Sequence, residues 1–399
     1  MKIGIVGKPN VGKSTFFKAL TSADVLIANY PFATIDPNTG MGFVKIECID
    51  KELNVQCNPR TGYCIEHKRF VPVEVVDVAG LVPEAHLGKG LGLGFLDDLR
   101  QADVLVHVID CSGGTNEKGE PVQPGTWDPA NDIRFLEVEI DMWYLGILKK
   151  GWDKLARALQ LEKGKVLQTI VKQLSGLNVT DDIAAHAINK LKLDIENPIK
   201  WTDENLKDFA IELRKATKPM VIAANKIDIP QAADNYERLK KQFPDRMILP
   251  CTGDHEIALK EANKAGLIKY IPGEDHFDIL HPEKLNPKQE SALDYIQKNV
   301  LDKWGSTGVQ QVIDSAVFNL LGYIAIFPGG MSKLADQFGN VLPDVFLLPK
   351  NSTALDFAFK IHTDLGKYFI KALDVKKRIP VGKDHPLKHR DVIEIVSGK

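Results

Sequence analysis

Residues 7–14 read GKPNVGKS and match the pattern G-x-x-x-x-G-K-S. This stretch follows a short apolar run at residues 2–6 and precedes a helical pattern that starts at Ser14. Glycines in such a loop let consecutive backbone N–H groups point at phosphate oxygens, and the helix that follows adds its positive N-terminal end. The sequence therefore predicts a phosphate-binding loop between the first strand and the first helix of an α/β domain.

Two side chains of this loop have expected roles of their own. The Lys13 ammonium would neutralise the β- and γ-phosphates of a nucleotide, and the Ser14 hydroxyl would ligate magnesium. Nucleotide contacts are predicted for Asn10, Val11, Gly12, Lys13, Ser14 and Thr15.

The residues Asp77-Val78-Ala79-Gly80 follow a second apolar run. The Asp77 carboxylate can hold the water shell of magnesium, and the Gly80 N–H can contact the γ-phosphate. Thr34 is expected to supply a second magnesium-ligating hydroxyl, and Thr39 is the competing candidate. The predicted magnesium ligands are Ser14, Thr34 and Asp77, and the predicted catalytic residues are Lys13, Thr34 and Gly80.

The stretch Asn225-Lys226-Ile227-Asp228 follows a third buried run and points to the base of the nucleotide. A carboxylate at Asp228 can accept hydrogen bonds from guanine N1–H and the 2-amino group, whereas adenine offers no donor at that edge. The Lys226 stem would pack along the base. After the next strand, a backbone N–H at Thr252 or Gly253 is expected to meet guanine O6.

Short Val- and Ile-rich runs alternate with helical patterns, which predicts an α/β fold with a mostly parallel sheet. A crossover needs about 30 residues, and the much longer stretch between Gly80 and Asn225 is helical in pattern. We therefore predict a nucleotide domain at residues 1–275 with a helical insertion at about 128–216, a helical connecting region at 276–322 and a small α+β domain at 323–399.

Composition limits the class of protein. Lys and Arg total 51 against 53 Asp and Glu, so any nucleic-acid surface must be a local patch. Five cysteines in 399 residues argue against a disulfide framework, and the N-terminus has no leader pattern. We expect a cytoplasmic protein without a membrane segment and without an evident obligate protein partner.

Taken together, these motifs resemble those of the Obg-like GTPases, and most nearly the YchF group with its archaeal and fungal relatives. The segment at 323–399 resembles a TGS domain, a small β-grasp module. The resemblance rests on residues 29–34, 79–82, 88–92, 95–96, 99–103 and 128–133 in the nucleotide domain, and on 348–353, 356–358, 361–366 and 391–396 in the tail.

The resemblance implies a P-loop GTPase that acts as a translation factor and contacts ribosomes or RNA through its TGS domain. YchF proteins typically have Glu where this chain has Asp228 and favour ATP, so the chemistry of Asp228 argues for GTP and GDP here. Leu81 stands where Ras-like enzymes carry a water-orienting Gln, which predicts slow intrinsic hydrolysis. By resemblance, Asn10 matches an Asn that holds potassium in some GTPases, or it only caps its own loop.

Two further groups of residues have open interpretations. Cys48, Cys57, Cys64 and His67 are either ligands of a zinc ion or free side chains in a long hairpin. A locally basic run is either a solvated face or an RNA-contacting edge. Its cations are Lys376, Lys377, Arg378, Lys383, Lys388 and Arg390.

Several function classes remain open. The first is a GTPase switch linked to the ribosome. A P-loop kinase or synthetase would have no use for the stretch at 225–228, which argues against that class. A GTP-binding scaffold with negligible turnover and an ATP-preferring ATPase of the YchF type are the remaining alternatives.

Overall fold

The fold is described from a computed structural model, and the described residues are 1–22, 38–78, 99–153, 156–157 and 166–398. The chain forms two compact units. The first contains Met1–Phe17 and Val75–His255, and the second contains Lys18–Glu74 and Glu256–Lys399. Each unit therefore combines an early segment of the chain with a later one.

A parallel β-sheet forms the centre of the first unit. Its strands, in sheet order, are the end of β4 (Lys68–Asp77), β1 (Lys2–Val6), β5 (Val104–Asp110), β6 (Met220–Asn225) and β7 (Met247–Pro250). Strands β1, β5, β6 and β7 run parallel, and all seven residues of β5 are buried. Continuous burial is typical of strands covered on both faces. Because the strands are parallel, their carboxyl ends meet at one edge of the sheet.

The chain between β5 and β6 is mostly helical, and its buried apolar residues form one cluster with residues of the sheet such as Val6 and Leu105. Trp152 stacks on Trp201 with ring centroids 5.3 Å apart, and the buried Arg214 donates to Asp141 at 2.7 Å. Helices lying wholly or partly in the first unit are Lys13–Thr21, Ala130–Lys149, Val166–Gln173, Asp181–Leu191, Asp203–Thr217, Pro230–Gln242 and Gly253–Lys264, with short 3-10 turns at Ser175–Leu177 and Pro198–Lys200.

The second unit contains three early strands, a two-stranded antiparallel sheet of β8 and β9, and a late five-stranded sheet. Its strands are β2 (Thr39–Glu47), β3 (Tyr63–Ile65), most of β4, β8 (Ile268–Tyr270), β9 (Phe277–Ile279), β10 (Tyr323–Pro328), β11 (Phe346–Pro349), β12 (Phe369–Asp374), β13 (Ile379–Val381) and β14 (Val392–Ser397). The late sheet has the order β11-β10-β14-β12-β13, and Ile326, Phe357 and Ile393 are fully or almost fully buried in its core. One helix covering this core, Ala354–Ile361, begins with a capping box between Thr353 and Asp356.

The remaining helices of the second unit are short. They are Pro287–Ile296, Asp302–Trp304, Val309–Asp314, Ala354–Ile361 and Thr363–Lys367, with π-helical turns at Gln297–Leu301 and Ser315–Leu320 and a 3-10 turn at Pro282–Lys284. Among the described residues of the whole chain, no helix has the length and apolar character that a bilayer crossing requires.

Buried polar contacts join the early and late segments of the second unit. The Arg69 side chain is fully buried and donates to the carbonyl oxygens of Leu342 at 3.0 Å and Pro343 at 2.8 Å. Arg60 pairs with Asp344 at 2.5 Å. The tail therefore has a core of its own and also satisfies polar groups of the early hairpin.

Asp314 is an unusual carboxyl in this unit. It accepts the Lys45 backbone N–H at 2.7 Å and the Gln310 amide at 2.9 Å. Burial raises the pKa of Asp314 to about 7, and the hydrogen bonds and the Lys45 charge only partly oppose this shift. Between about pH 4 and about pH 7 the folded protein therefore holds a proton here that the unfolded chain has released.

This proton makes stability depend on pH. Because the folded-state pKa of Asp314 is raised, its contribution is fully present below about pH 4 and is lost as the pH rises through about 7. Asp314→Asn keeps an acceptor and cannot ionise. Between about pH 4 and about pH 7, the free energy of unfolding of this variant should rise relative to that of the parent by about 1.4 kcal/mol per pH unit. Denaturation of both proteins at several pH values measures the difference.

The matched control for this measurement is Asp208→Asn, which alters an exposed carboxylate of the first unit. It measures how far the loss of a surface carboxylate alone changes the free energy of unfolding in the same window. A difference in free energy of unfolding between Asp314→Asn and the parent that stays the same at all of these pH values would contradict the raised pKa of Asp314.

Candidate nucleotide site

The loop at residues 7–14 follows β1 and packs against the ends of β5 and β6. Gly12 has a φ of 92°, and a Cβ there would lie 2.2 Å from the Asn225 amide nitrogen. Gly7 has a φ of 155°, and a Cβ there would lie 2.5 Å from the Val108 carbonyl oxygen. Both positions combine left-handed backbone with a close approach, and both conditions favour glycine.

Lys13, Ser14 and Asp77 come together at the start of the first helix. The Lys13 ammonium forms an ion pair with Asp77 Oδ1, and the Ser14 hydroxyl donates to Asp77 Oδ2 at 3.4 Å. Asp77 is the last residue of β4. Carboxylate and hydroxyl oxygens are hard ligands of the kind that magnesium prefers, so this pair of side chains fits that ion.

The Asn225 side chain connects the loop to the base end of the site. It is almost fully buried at the end of β6. Its amide nitrogen donates to the Val11 carbonyl oxygen at 3.0 Å, and its amide oxygen accepts the Gly253 N–H at 3.1 Å. Asn225 therefore has a structural role in addition to the predicted contact with nucleotide.

Lys226 is held by contacts to two other loops. Its backbone has a φ of 61°, and its ammonium donates to Asp110 Oδ2 at 2.7 Å and to the Asn10 carbonyl oxygen at 3.2 Å. Asp110 is buried and also accepts the hydroxyls of Ser112 at 2.5 Å and Thr115 at 2.6 Å. These contacts fix the direction of the lysine stem.

Asp110 was not among the residues predicted from sequence. Burial alone would raise its pKa, but the hydrogen bonds from Lys226, Ser112 and Thr115 outweigh burial and hold the pKa below its usual range. A pattern in the sequence could have identified Asp110. Asp110 ends a buried run, and the parallel sheet places it beside Asn225, its partner in register.

Asp228 lies in the turn after β6, close to the loop that follows β7. Its Oδ1 is 3.7 Å from His255 Nδ1, and its side chain is 20% exposed. The same His255 nitrogen is 2.9 Å from the Thr252 hydroxyl. The structure thus brings the predicted base-recognition residues together and adds His255, which sequence reasoning missed.

A buried ion pair also contacts the phosphate loop. The Lys8 ammonium lies 2.6 Å from Asp132 Oδ1 and donates to the Asn116 carbonyl oxygen at 2.7 Å. Burial raises the pKa of Asp132 despite the Lys8 charge. Nearby, the Asn10 amide nitrogen donates to the Gly119 carbonyl oxygen at 2.8 Å. Residues 112–127 are therefore tied to the loop that precedes the first helix.

Four residues named from the sequence are not among the described residues of this site. Thr34, Gly80 and Leu81 fall outside the described residues, whereas Thr39, the competitor of Thr34, begins β2 in the second unit. The roles assigned to all of these side chains remain predictions.

The possible zinc ligands and the basic run both belong to the second unit. Three cysteines cluster together with Asp50, and His67 contacts Asp50. In the basic run Lys376 and Arg390 pair with Glu52, and Lys377 pairs with Asp374. Arg378, Lys383 and Lys388 are exposed.

Comparisons with known proteins agree with this geometry. Residues 2–136 match the family model of 50S ribosome-binding GTPases, 223–329 match that of the Obg-like GTPase YGR210-like, G4 motif-containing domain, and 338–397 match the TGS domain. An uncharacterized GTP-binding protein of Methanocaldococcus jannaschii is 52% identical over 396 residues, which cover 99% of this chain and 98% of that protein. The chain belongs to the Obg-like GTPase family, in its YchF-related branch.

Further relatives support the fold of this Obg-like protein. The crystal structure of a GTP binding protein from Pyrococcus horikoshii is 41% identical, has a TM-score of 0.78 and covers 100% of both chains. An uncharacterized GTP-binding protein of Schizosaccharomyces pombe is 37% identical, with 88% of each chain covered. The ribosome-binding ATPase YchF of Escherichia coli O157:H7 is 28% identical, with 99% of this chain and 98% of that protein covered.

These matches confirm the predicted fold class, a P-loop G domain with a mostly parallel sheet and a C-terminal TGS domain. They also support nucleotide binding by this Obg-like chain. Members of P-loop GTPase families hydrolyse nucleotides and use magnesium to do so.

The contact between Asp110 and Lys226 can be tested directly. Asp110→Asn keeps the shape of the side chain and removes the charge that holds the Lys226 ammonium. Hydrogen bonds to charged groups contribute about 1.5–3 kcal/mol, so we expect nucleotide affinity to fall about tenfold or more. Titration calorimetry with GDP measures this loss.

The control for this test is Ser112→Ala, which removes one neutral hydroxyl donor and should cost less. Because the pKa of Asp110 is lowered, its ionised form persists through neutral pH. Its contribution is lost only as the pH falls below about 4. The difference between Asp110→Asn and the parent should therefore stay constant from about pH 5 to about pH 8. GDP affinity equal to that of the parent would refute the role of Asp110.

Proposed function

We propose that this Obg-like chain binds GTP with magnesium and hydrolyses it to GDP and phosphate. The proposal of guanine rather than adenine rests on the position of Asp228. This residue lies in the turn after β6, with its carboxylate 3.7 Å from His255. A carboxylate there can pair with two N–H donors of guanine, whereas with adenine it would be desolvated without donors. The contacts of Asn225 and Lys226 support this proposal because they fix the turn that carries Asp228.

Hydrolysis requires that the metal and the phosphates be held in position. Ser14 and Asp77 are the proposed magnesium ligands among the described residues, and Lys13 is the proposed phosphate contact. Thr34 as a further ligand and slow turnover caused by Leu81 stay predictions. Potassium binding by Asn10 also stays a prediction. The hydrogen bond to Gly119 uses the amide nitrogen of Asn10, whereas a potassium ligand would use the oxygen.

Two alternatives to a GTPase are an ATPase and a scaffold that binds GTP without turnover. The YchF relatives are named ribosome-binding ATPases, which favours ATP. Asp228 in place of the Glu typical of that group favours GTP. A scaffold that binds GTP without turnover is distinguished from an enzyme by the rate of phosphate release, measured with and without ribosomes.

Nucleotide choice is the decisive measurement. The purified chain should bind GDP and GTP at least about 100-fold more tightly than ADP and ATP, because two hydrogen bonds to a charged acceptor are at stake. Asp228→Asn should weaken guanine nucleotides by a similar factor and favour xanthine nucleotides, whose base carries a carbonyl where guanine has its amino group. Titration calorimetry with all of these nucleotides gives the comparison.

The control for this measurement is Asp234→Asn, a carboxylate on the helix Pro230–Gln242 outside the proposed site. It should leave the preference unchanged. Equal affinities for ATP and GTP in the parent protein would refute guanine selection and favour the ATPase alternative.

We further propose that the chain acts in the cytoplasm in association with ribosomes or other RNA, through its TGS domain. The names of the YchF relatives support this proposal, as does the match of residues 338–397 to the TGS model. Lys376, Lys377 and Arg390 are less suited to bind phosphate than the sequence implied, since each already pairs with a carboxylate.

A groove in the second unit is a better candidate for the RNA contact. It has a volume of about 610 Å³, and Lys350 and Lys388 line it. Phe318 and His389 also line it, with ring centroids 5.4 Å apart. Exposed cations attract phosphates, and aromatic rings provide surfaces on which unpaired bases stack.

The groove can be tested by comparing two double variants. Lys350→Ala with Lys388→Ala removes two cations of the groove, whereas Lys376→Ala with Lys377→Ala removes two cations that are already paired. In co-sedimentation with ribosomes across a salt series, the first variant should bind more weakly than the parent. The slope of its log affinity against log salt concentration should be less steep by about one to two. The second variant should resemble the parent. Equal binding by both variants would refute the groove.

A further inference from the structure

Three of the five cysteines converge in the second unit. Cys48 directly follows β2, Cys64 lies within β3, and Cys57 lies in the loop between these strands. Cys48 and Cys57 are 2% and 5% exposed, and Cys64 is half-buried. Asp50 is completely buried beside them. The three sulfurs and one carboxylate oxygen all lie within 4.8 Å of one another.

Backbone contacts explain how the sequence brings these side chains together. The Asp50 carboxylate accepts the Cys57 N–H at 3.2 Å, and its carbonyl oxygen accepts the Val55 N–H at 3.0 Å. These bonds turn the loop so that Cys57 returns to Cys48. On the other side, the Cys48 N–H donates to the His67 carbonyl oxygen at 2.7 Å.

The hairpin between β3 and β4 completes the cluster. Its two-residue turn consists of Glu66 and His67, which have φ values of 48° and 62°. Positive φ at both central residues is the geometry of a type I′ turn, which side chains other than Gly and Asn seldom adopt. The turn places His67 Nδ1 2.9 Å from Asp50 Oδ1.

We propose that Cys48, Cys57, Cys64 and Asp50 bind a structural zinc ion. Zinc prefers four ligands in a tetrahedron, and thiolate sulfurs about 2.3 Å from the metal lie about 3.8 Å from each other. The Sγ atoms of Cys48 and Cys57 are 3.6 Å apart, close to that spacing. A closed set of four protein ligands is typical of structural rather than catalytic zinc.

The charge of Asp50 supports a cation at this point. The Asp50 carboxylate has no exposure, and besides its contacts with the Cys57 N–H and with His67 it faces three sulfurs that bring no positive charge. A divalent cation would offset two of the four negative charges that the carboxylate and three ionised sulfurs carry. A disulfide between Cys48 and Cys57 would leave Asp50 without this compensation, and it would need an S–S distance of about 2.05 Å.

His67 has a different place from the one predicted from sequence. His67 Nδ1 lies 2.9 Å from Asp50 Oδ1, and Asp50 provides the carboxylate oxygen that lies with the three sulfurs. A partner that orients a metal ligand through a hydrogen bond typically changes metal affinity by about 10–100-fold. His67 is thus a positioning residue for the fourth ligand.

Zinc at this position would stabilise a surface used inside the second unit. The loop that carries Cys57 continues to Asn58 and Arg60, whose N–H groups donate to the carbonyl oxygens of Val341 and Pro343 at 2.9 Å each. Those carbonyls belong to the segment that connects β10 to β11 of the late sheet. The metal would therefore hold the early loop in the shape that the C-terminal domain contacts.

The test begins with the full-length chain, purified with reductant and dialysed against metal-free buffer. Mass spectrometry of the metals should find about one zinc per chain. Cys57→Ser and Cys64→Ser should lower the zinc content to near zero. Cys111→Ala, which removes a buried thiol of the first unit, should leave it unchanged.

Cobalt substitution of the parent protein provides a measurement that does not depend on the folding of any variant. Cobalt should produce thiolate-to-metal charge-transfer absorption. His67→Ala should retain these bands and weaken cobalt binding by about 10–100-fold. A parent protein without zinc that takes up cobalt without thiolate bands would overturn the proposal. A Cys48–Cys57 disulfide in the protein as purified would also overturn it and would indicate a redox pair.

Discussion

The side-chain amide of Asn225 joins three segments of the first unit. It donates to Val11 in the phosphate loop, accepts from Gly253 after β7, and itself ends β6. Gly12 makes this possible, because a side chain there would occupy the space of the amide nitrogen. The phosphate end and the base end of the site are therefore set by one buried group, and a change at Asn225 would alter both.

Two lysines at the same edge of the sheet follow a common rule. Lys8 and Lys226 each carry a charge into a partly or fully buried place, and each meets a carboxylate there, Asp132 and Asp110. Unpaired buried charges are costly, whereas such pairs restrict the geometry of the loops that carry them. We infer that the loops around the phosphate loop are shaped in advance of nucleotide binding, which lowers the entropy lost on binding.

The parts of the structure that local pattern determines could be predicted from the sequence. The loop at 7–14 and the buried strand ends were predictable because spacing and periodicity directly reflect backbone geometry. Asp110 and Asp132 were missed because their partners are distant in sequence, and only the register of the sheet and the packing of the helices reveal them. Asp50 was missed for another reason. His67 is the more familiar type of zinc ligand, and only the structure of the loop and the hairpin turn shows that Asp50, not His67, lies with the three sulfurs.

The basic run shows a limit of counting charges along the sequence. Its clustered cations left open whether the run is a solvated face or an RNA-contacting edge, and the structure shows that Glu52 pairs with two of them. Composition counts charges and does not show which are already neutralised. The groove lined by Lys350 and Lys388 could not be found in this way, because its residues come from separate segments.

The contact of Arg69 with Leu342 also has a consequence for synthesis of the protein. These residues are 273 positions apart, and ribosomes add about 5–20 residues per second. Roughly a quarter of a minute to a minute passes before the carbonyl oxygens that Arg69 contacts have been made. During that interval the guanidinium is hydrated and the early hairpin lacks its final partners. The second unit must therefore complete its folding after translation of nearly the whole chain, whereas the first unit has all of its residues by His255.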